Sequence, residues 1–295
     1  MAENLNRRLR NALAPGAGLL MPGAANALAA RLIVASGFPA VYITGAGIAN
    51  TALGVPDLGL VTLSELVDHV MAIRETVDVP LVVDGDTGFG NALNLRRTVR
   101  LLERAGANAI QIEDQVFPKR CGHFEGKAVI AASAMVQKIK AAVDARGDAD
   151  FLVIARTDSR AVEGFEAAIA RAAAYREAGA DILFVEAPQS VDELAAIPAR
   201  LPGPHIANIV FGGKTPNLPR EQLAAMGFAG IIYANAAVQA AVAGMSRVLR
   251  HLAATGSLAG VEDGLASFAQ RQSLVDYDGF IALDRRYAEP AEGTK

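Results

Sequence analysis

The sequence predicts an α/β protein, a single (β/α)8 barrel of the TIM type, on two observations. Short β-branched runs alternate with helical patterns eight times along the chain, which calls for a parallel sheet with crossover helices, and eight repeats favour closure over an open sheet. Polar and acidic residues also recur at the C-terminal ends of those runs, the rim where such barrels carry their ligands. The strands expected are Gly18–Met21, Ala40–Ile43, Leu81–Asp84, Ala109–Glu113, Phe151–Ala155, Ile182–Glu186, His205–Asn208 and Gly230–Tyr233. Between them Thr62–Thr76, Leu93–Ala105, Ser133–Ala145, Phe165–Ala178 and Val191–Ala199 space their apolar residues three or four apart, as helices do. Thr62 and Glu65 have the capping-box spacing, and Gly106 and Gly179 stand where helices should stop.

After the eighth strand the chain continues through a helical Ala236–Ala254 and an amphipathic stretch from Leu265 to Asp276. Residues 1–295 are therefore read as one barrel domain, with 255–295 as a C-terminal helical extension that packs on a partner subunit. Composition narrows the function. A chain of 295 residues that is 52% hydrophobic can bury a large core. Its net charge of −3, scarce aromatics and lack of basic runs argue against a nucleic-acid partner. No apolar run is long enough for a membrane span, no secretory signal opens the chain, and one cysteine permits no internal disulfide, so a cytoplasmic enzyme is expected.

Two segments carry the chemistry. In Val82-Val-Asp-Gly-Asp-Thr-Gly-Phe-Gly90 strand alternation turns Asp84 and Asp86 toward the same side of the barrel mouth, with Gly85 allowing a bend between them. Glu113 ends the next strand, and Asp57 follows Pro56 in the loop after the second. Four acids on one rim repel unless a cation or proton is shared among them, and an all-oxygen set without a histidine pair suits Mg²⁺ or Mn²⁺ rather than zinc. Further polar residues occupy other strand ends, namely Tyr42, Thr44, Arg156, Glu186 and Asn208. Arg156 can pair bidentately with a substrate carboxylate, or structurally with Asp158 or Glu186. Gly45 and Gly47 flank Ala46 in a short loop able to bring backbone N–H groups to an anion. The second segment, Gln115–Ile130, holds the only cysteine, Cys121, near Lys119, Arg120 and His123. Cations stabilise a thiolate and tune it for proton exchange, and a long glycine-bearing loop inside a barrel reads as a moving lid.

Taken together, Tyr42-Ile-Thr-Gly, Pro56-Asp-Leu-Gly, Asp84-Gly-Asp-Thr-Gly-Phe-Gly, Ile112-Glu-Asp-Gln, Lys119-Arg-Cys-Gly-His123 and Ala155-Arg-Thr-Asp158 resemble the isocitrate lyase and phosphoenolpyruvate mutase superfamily. The lid resembles its carbon–carbon lyase branch, which includes methylisocitrate and dimethylmalate lyases. The resemblance implies that Asp84 binds Mg²⁺ directly, with Asp57, Asp86 and Glu113 supporting it partly through water. It implies that Tyr42, Thr44, Gly45, Ala46 and Arg156 hold the substrate's oxyacid end, that Cys121 is the general acid, and that Lys119, His123 and Glu186 position or activate the reacting groups. It also implies a homotetramer with exchanged terminal helices.

The expected activity is metal-dependent cleavage of a C–C bond in a branched 2-hydroxy di- or tricarboxylic acid, of the 2,3-dimethylmalate or 2-methylisocitrate type, giving pyruvate and a carboxylic acid. Phe184, two residues before Glu186, is placed to line the pocket with room for a methyl group, a feature similar to pyruvate-releasing lyases, or to fill the barrel core. Asn208-Ile-Val-Phe-Gly-Gly-Lys214 resembles the dimethylmalate-lyase-like branch except that Phe211 replaces an acid. The alternatives are oxaloacetate decarboxylation on the same platform, phosphonate chemistry, and a barrel that binds a dicarboxylate without turning it over.

Overall fold

The computed structural model describes residues 4–122 and 126–288 and divides into two compact units, 1–239 and 240–295. In chain order the first unit holds α1 (Leu5–Ala12), β1 (Leu19–Ala24), α2 (Ala27–Ala35), β2 (Val41–Ile43), α3 (Gly45–Ile48), α4 (Leu63–Arg74) and β3 (Leu81–Asp84). It continues with α5 (Ala92–Arg104), β4 (Ala109–Glu113), α6 (Ala132–Ala145), β5 (Leu152–Thr157), α7 (Phe165–Glu177) and β6 (Ile182–Val185). It ends with α8 (Val191–Arg200), β7 (Ile206–Asn208), α9 (Arg220–Met226), β8 (Gly230–Tyr233) and the start of α10 (Ala236–Thr255). The second unit holds the rest of α10, then α11 (Phe268–Leu274) and α12 (Tyr277–Tyr287).

The eight strands are all parallel in the order β6-β5-β4-β3-β2-β1-β8-β7, and a Leu183–His205 bridge joins the two ends into a barrel. Each expected strand is present, several with shifted ends. β1 runs three residues further, to Ala24, because Gly23 and Ala24 pair with Tyr42 and Ile43. Two cores result from strand alternation. Met21, Tyr42, Val82, Ala109, Ile154, Phe184 and Ile232 fill the barrel interior, while Ile43, Val83, Ile110, Val153 and Leu183 pack outward on the helices. Each such Val, Leu, Ile, Phe or Met side chain contributes about 1.5–3 kcal/mol by its burial.

α1 has no counterpart in the expected elements, yet it closes the N-terminal end of the barrel. Asn4 caps it through the Asn6 and Arg7 amides, and Leu9 and Leu13, one turn apart, are buried in the interior core. Asn6 Oδ1 accepts from Asn108 Nδ2 at 2.6 Å, and Asn108 Oδ1 accepts from the Leu81 amide at 2.8 Å, so the plug is tied to the start of β3. With its lower end sealed, the barrel opens only at the C-terminal rim. The long helix α4 keeps its capping box, with Thr62 N–H donating to Glu65 Oε2 at 2.7 Å.

The second unit is built of amphipathic helices whose apolar residues stay exposed in the chain, among them Met245, Leu249, Phe268, Phe280 and Leu283. Ser267 and Gln270 form a capping box at α11, and Arg247 pairs with Asp263 at 3.1 Å. Among the described residues no helix is long and apolar enough to cross a membrane.

His205, at the start of β7, is a core residue. Its ring is fully buried, Nε2 donates to the Leu201 carbonyl at 3.0 Å, and burial lowers its pKa to about 4. A histidine whose folded pKa lies below its unfolded value contributes full stability above about pH 6.5 and loses it as pH falls toward 4. The cost reaches roughly 3 kcal/mol across that window. Urea unfolding between pH 7 and 4.5 should show a steeper loss for the wild type than for His205→Gln; equal slopes would contradict this assignment.

Candidate active site

The C-terminal ends of β2 to β7 bring the predicted rim residues together. Tyr42, Thr44, Ala46, Asp57, Asp84, Lys119, Arg120, Cys121, Gly122, Arg156, Glu186 and Asn208 surround one small cavity of about 30 Å³, which Val210, Ala234 and Asn235 complete. That volume is about one water's share, because the loop after β4 fills the mouth with Lys119 to Gly122. A larger cavity of about 850 Å³ lies on the flank, between Leu60, Phe89, Phe117 and Ile130. Its mostly apolar lining holds no converging acids, so size alone does not make it the reactive site.

The β3 end is shaped by backbone constraint. A Cβ on Gly85 would come within 2.9 Å of the Gln111 carbonyl, which accepts the Gly85 N–H at 2.8 Å, so only glycine lets the chain turn there. Asp86 follows with φ +48, a left-handed conformation that costs a non-glycine residue energy and is held by its neighbours. Its amide donates to Asp84 Oδ1 at 3.2 Å, and its carbonyl accepts from the Glu113 amide at 2.9 Å. Gln111 Nε2 also donates to Asp84 Oδ1 at 3.2 Å, and Tyr42 OH donates to Gln111 Oε1 at 3.0 Å. Thr44 caps α3 through the Gly47 amide, and Gly45 lies close enough that an added Cβ would sit 3.3 Å from Asp86 Oδ1.

Cations are distributed among these acids. Lys119, only 4% exposed, places Nζ 2.5 Å from Asp57 Oδ1 and 2.9 Å from Asp86 Oδ1. Burial alone would lower its pKa, but Asp86, Glu113, Asp84 and Asp57 together hold it well above the usual lysine value. Arg156 forks onto Asp158 at 2.8 and 3.0 Å, lies 3.4 Å from Glu113 and 3.9 Å from Glu186, and covers the Phe184 ring at 5.3 Å. Burial pushes Asp86 up to about 7 and Glu113 well above its ordinary value, against the pull of Lys119 and Arg156. Asp158 goes the other way: burial would raise it, yet Arg156 and Lys127 hold it at about 2.

Among the described residues no three histidine, cysteine or acidic side chains form a ready-made metal cage. The donor set still fits a hydrated magnesium ion, which keeps several waters and takes only one or two carboxylates directly. Glu113 Oε1 is buried without a hydrogen-bond partner among the described residues, so the rim has acceptor capacity that its own donors do not satisfy.

Phe184 belongs to the barrel interior beneath Arg156 and is not among the cavity-lining side chains. Asn208 Nδ2 lies 3.5 Å from Glu186 Oε1, and Phe211 is 86% exposed. His123 lies outside the described residues. Sequence reasoning missed Gln111, Asp114 and Lys127. Asp114 is fully buried and accepts from Thr157 Oγ1 and Tyr175 OH at 2.7 Å and from the Asp158 amide at 2.9 Å, which fixes the β5 end. Its place beside Glu113 was the one available signal.

If Asp84 alone binds a divalent ion directly, Asp84→Asn should weaken Mn²⁺ binding by more than about tenfold. Asp86→Asn should weaken it less, because Asp86 is already paired with Lys119. Calorimetric titration checks the order, and the reverse order would reassign the ligand.

A phosphoenolpyruvate phosphomutase family model matches residues 9–253. The chain is 42% identical over 285 residues to 2,3-dimethylmalate lyase of Eubacterium barkeri, covering 97% of this chain and 99% of that one. It is 45% identical over 274 residues to 2-methylisocitrate lyase of Aeropyrum pernix, covering 93% and 88%. A solved structure of oxaloacetate acetylhydrolase in complex with the inhibitor 3,3-difluorooxalacetate superimposes with a TM-score of 0.90 at 32% identity, covering 98% of each chain.

Proposed function

The chain belongs to the phosphoenolpyruvate mutase/isocitrate lyase superfamily, and on that premise we propose that it is a Mg²⁺-dependent carbon–carbon lyase. Its substrate is a branched 2-hydroxy acid of the 2,3-dimethylmalate or 2-methylisocitrate type, cleaved to pyruvate and a second carboxylic acid. The observation that carries this reading is the meeting of Cys121 with Asp84, Arg156 and Glu186 around one cavity. Two curated lyases that match nearly the whole chain support it. Mn²⁺ can replace Mg²⁺ on an all-oxygen site.

The bound ion would acidify the 2-hydroxyl and orient it with the adjacent carboxylate, with Asp84 as direct ligand and Asp57, Asp86 and Glu113 acting partly through water. The rest falls to the protein. Tyr42, Thr44, Gly45, Ala46 and Arg156 hold the oxyacid end, with Asp158 aiming the guanidinium. Once the hydroxyl has passed its proton to a base at the rim, the C2–C3 bond breaks, C2 becomes the keto carbon of pyruvate, and the electron pair passes to C3; one proton returned to the thiolate after product release closes the cycle. Cys121 gives the thiol proton to that carbon, and Lys119, His123, Glu186 and Asn208 keep the reacting ends in place. A cavity of about 30 Å³ cannot admit such an acid, so the loop carrying Cys121 opens to load it and closes to exclude water.

The exposed apolar residues of α10 to α12 support a homotetramer with exchanged terminal helices, and sedimentation should give four times the chain mass. A reducing cytoplasm suits an enzyme that depends on a free thiol. A second reading, action on oxaloacetate, draws on the structural likeness to oxaloacetate acetylhydrolase; decarboxylation would need the same metal platform without the cysteine acid.

Pyruvate and glyoxylate release from 2,3-dimethylmalate, 2-methylisocitrate, isocitrate and oxaloacetate separates these readings. Cys121→Ala should lower kcat on the best C–C substrate by roughly 10²–10⁴, the usual worth of a positioned general acid, with Mn²⁺ affinity unchanged. Wild-type turnover by that variant would remove Cys121 from the reaction.

A further inference from the structure

Lys127 lies at the neck of the loop between β4 and α6, where the two ends of the loop are held together. The Val116 amide donates to the Ala128 carbonyl and the Ile130 amide to the Asp114 carbonyl, both at 2.8 Å, and Gln115 bridges Val129. Gln115 also clasps Arg120 from both sides, at 2.8 and 2.9 Å. The neck is therefore a fixed base, and the side chain of Lys127 turns inward from it, only 2% exposed.

Its ammonium donates to Asp158 Oδ1 at 3.0 Å and to the Gly122 carbonyl. Asp158 is the same carboxylate that receives the Arg156 fork. Gly122 is seated directly on the rim, because an added Cβ would collide with both Arg156 Nη2 and Glu186 Oε1. Cys121 is the residue before it. One buried carboxylate thus aims the arginine of the rim and, through one lysine, fixes the peptide beside the thiol. An ammonium with three donors and a flexible stem can span two acceptors in this way.

We propose that Lys127 is a positioning residue that ties the Gly122 carbonyl to Asp158 and so seats Cys121 over the acidic rim. The proposal rests on Cys121 as the proton donor. A lysine that merely neutralised Asp158 would leave the thiol's placement unaffected on removal, and that difference is measurable.

The experiment compares wild type with Lys127→Met in the presence of Mg²⁺. One readout is alkylation of Cys121 by iodoacetamide with and without oxalate, a small dicarboxylate that fills the rim; the other is kcat and KM on 2,3-dimethylmalate. In the wild type, Mg²⁺ and oxalate should slow alkylation by on the order of tenfold or more, as closure protects the thiol. In Lys127→Met that protection should vanish, kcat should fall roughly 10²-fold, and Mn²⁺ affinity should stay as it was. Lys127→Arg should recover part of both. Protection retained in Lys127→Met, whatever its kcat, overturns the proposal, as does a fall in kcat matched by a fall in Mn²⁺ affinity. Should Lys127→Met not fold, Lys127→Gln takes its place; if neither folds, Lys127 serves the fold and the proposal fails. A wild type that is protected but cleaves neither 2,3-dimethylmalate nor 2-methylisocitrate would refute the lyase reading alone, and alkylation would still decide the role of Lys127.

Discussion

The structure depends on one electrostatic constraint: buried carboxylates at the barrel rim must be compensated where water cannot do it. Asp84, Asp86, Glu113, Asp158 and Glu186 are all buried, and Lys119, Lys127 and Arg156 answer them with buried positive charge. Isolated charges in such a setting cost several kcal/mol each, so they are paired, protonated or bound to a metal. All three remedies are consistent with this rim. Lys119 pairs Asp57 with Asp86, the raised values of Asp86 and Glu113 show the pull toward protonation, and the remaining acceptor capacity suits a hydrated divalent ion.

A rim under that strain needs a stiff support, and the fold supplies it from several directions. Gly85 permits a close backbone crossing, and Asp86 is held in a left-handed conformation by hydrogen bonds on both sides. Below, the interior side chains and the α1 plug leave no path through the barrel. Behind β5, Asp114 gathers Thr157, Tyr175 and the Asp158 amide, so that Asp158 presents its carboxylate to Arg156 in one orientation. Lys138, nearly buried on α6, donates to the Thr87 carbonyl at 2.6 Å and steadies the turn after Asp86.

Periodicity is the part of this architecture that the sequence makes legible. The eight strands, the main helices and the rim positions of Asp84, Glu113, Arg156 and Glu186 all derive from alternation and from the ends of apolar runs. Asp57 was readable only as one more acid near the rim and Cys121 only as a thiol among cations, because a single loop acid or lone cysteine has no periodic signature. The water-mediated metal role of Asp57, the substrate-holding role of Tyr42 and the general-acid role of Cys121 needed the family resemblance. The helix α1 was missed because its one-turn spacing of Leu9 and Leu13 sits among arginines that read as a polar end. Phe184 illustrates the limit of alternation: it shares the side of its strand with Glu186, yet one residue pair lower it is core, with Arg156 between it and the cavity. Contacts such as Lys127 with Asp158 join residues 31 apart and exist only once the barrel closes.

The central claim, that a divalent ion completes the charge balance of this rim, is tested most directly by titrating the metal-free protein with Mg²⁺ at pH 7 in buffers of different ionisation enthalpy. If the ion displaces protons from carboxyls held at raised pKa, binding at pH 7 should release protons, up to about half a proton per ion from Asp86 with its pKa about 7, and the Asp86 share should fade above pH 8 as it ionises on its own. Binding with no proton release at pH 7, or no binding at millimolar Mg²⁺, would contradict the account.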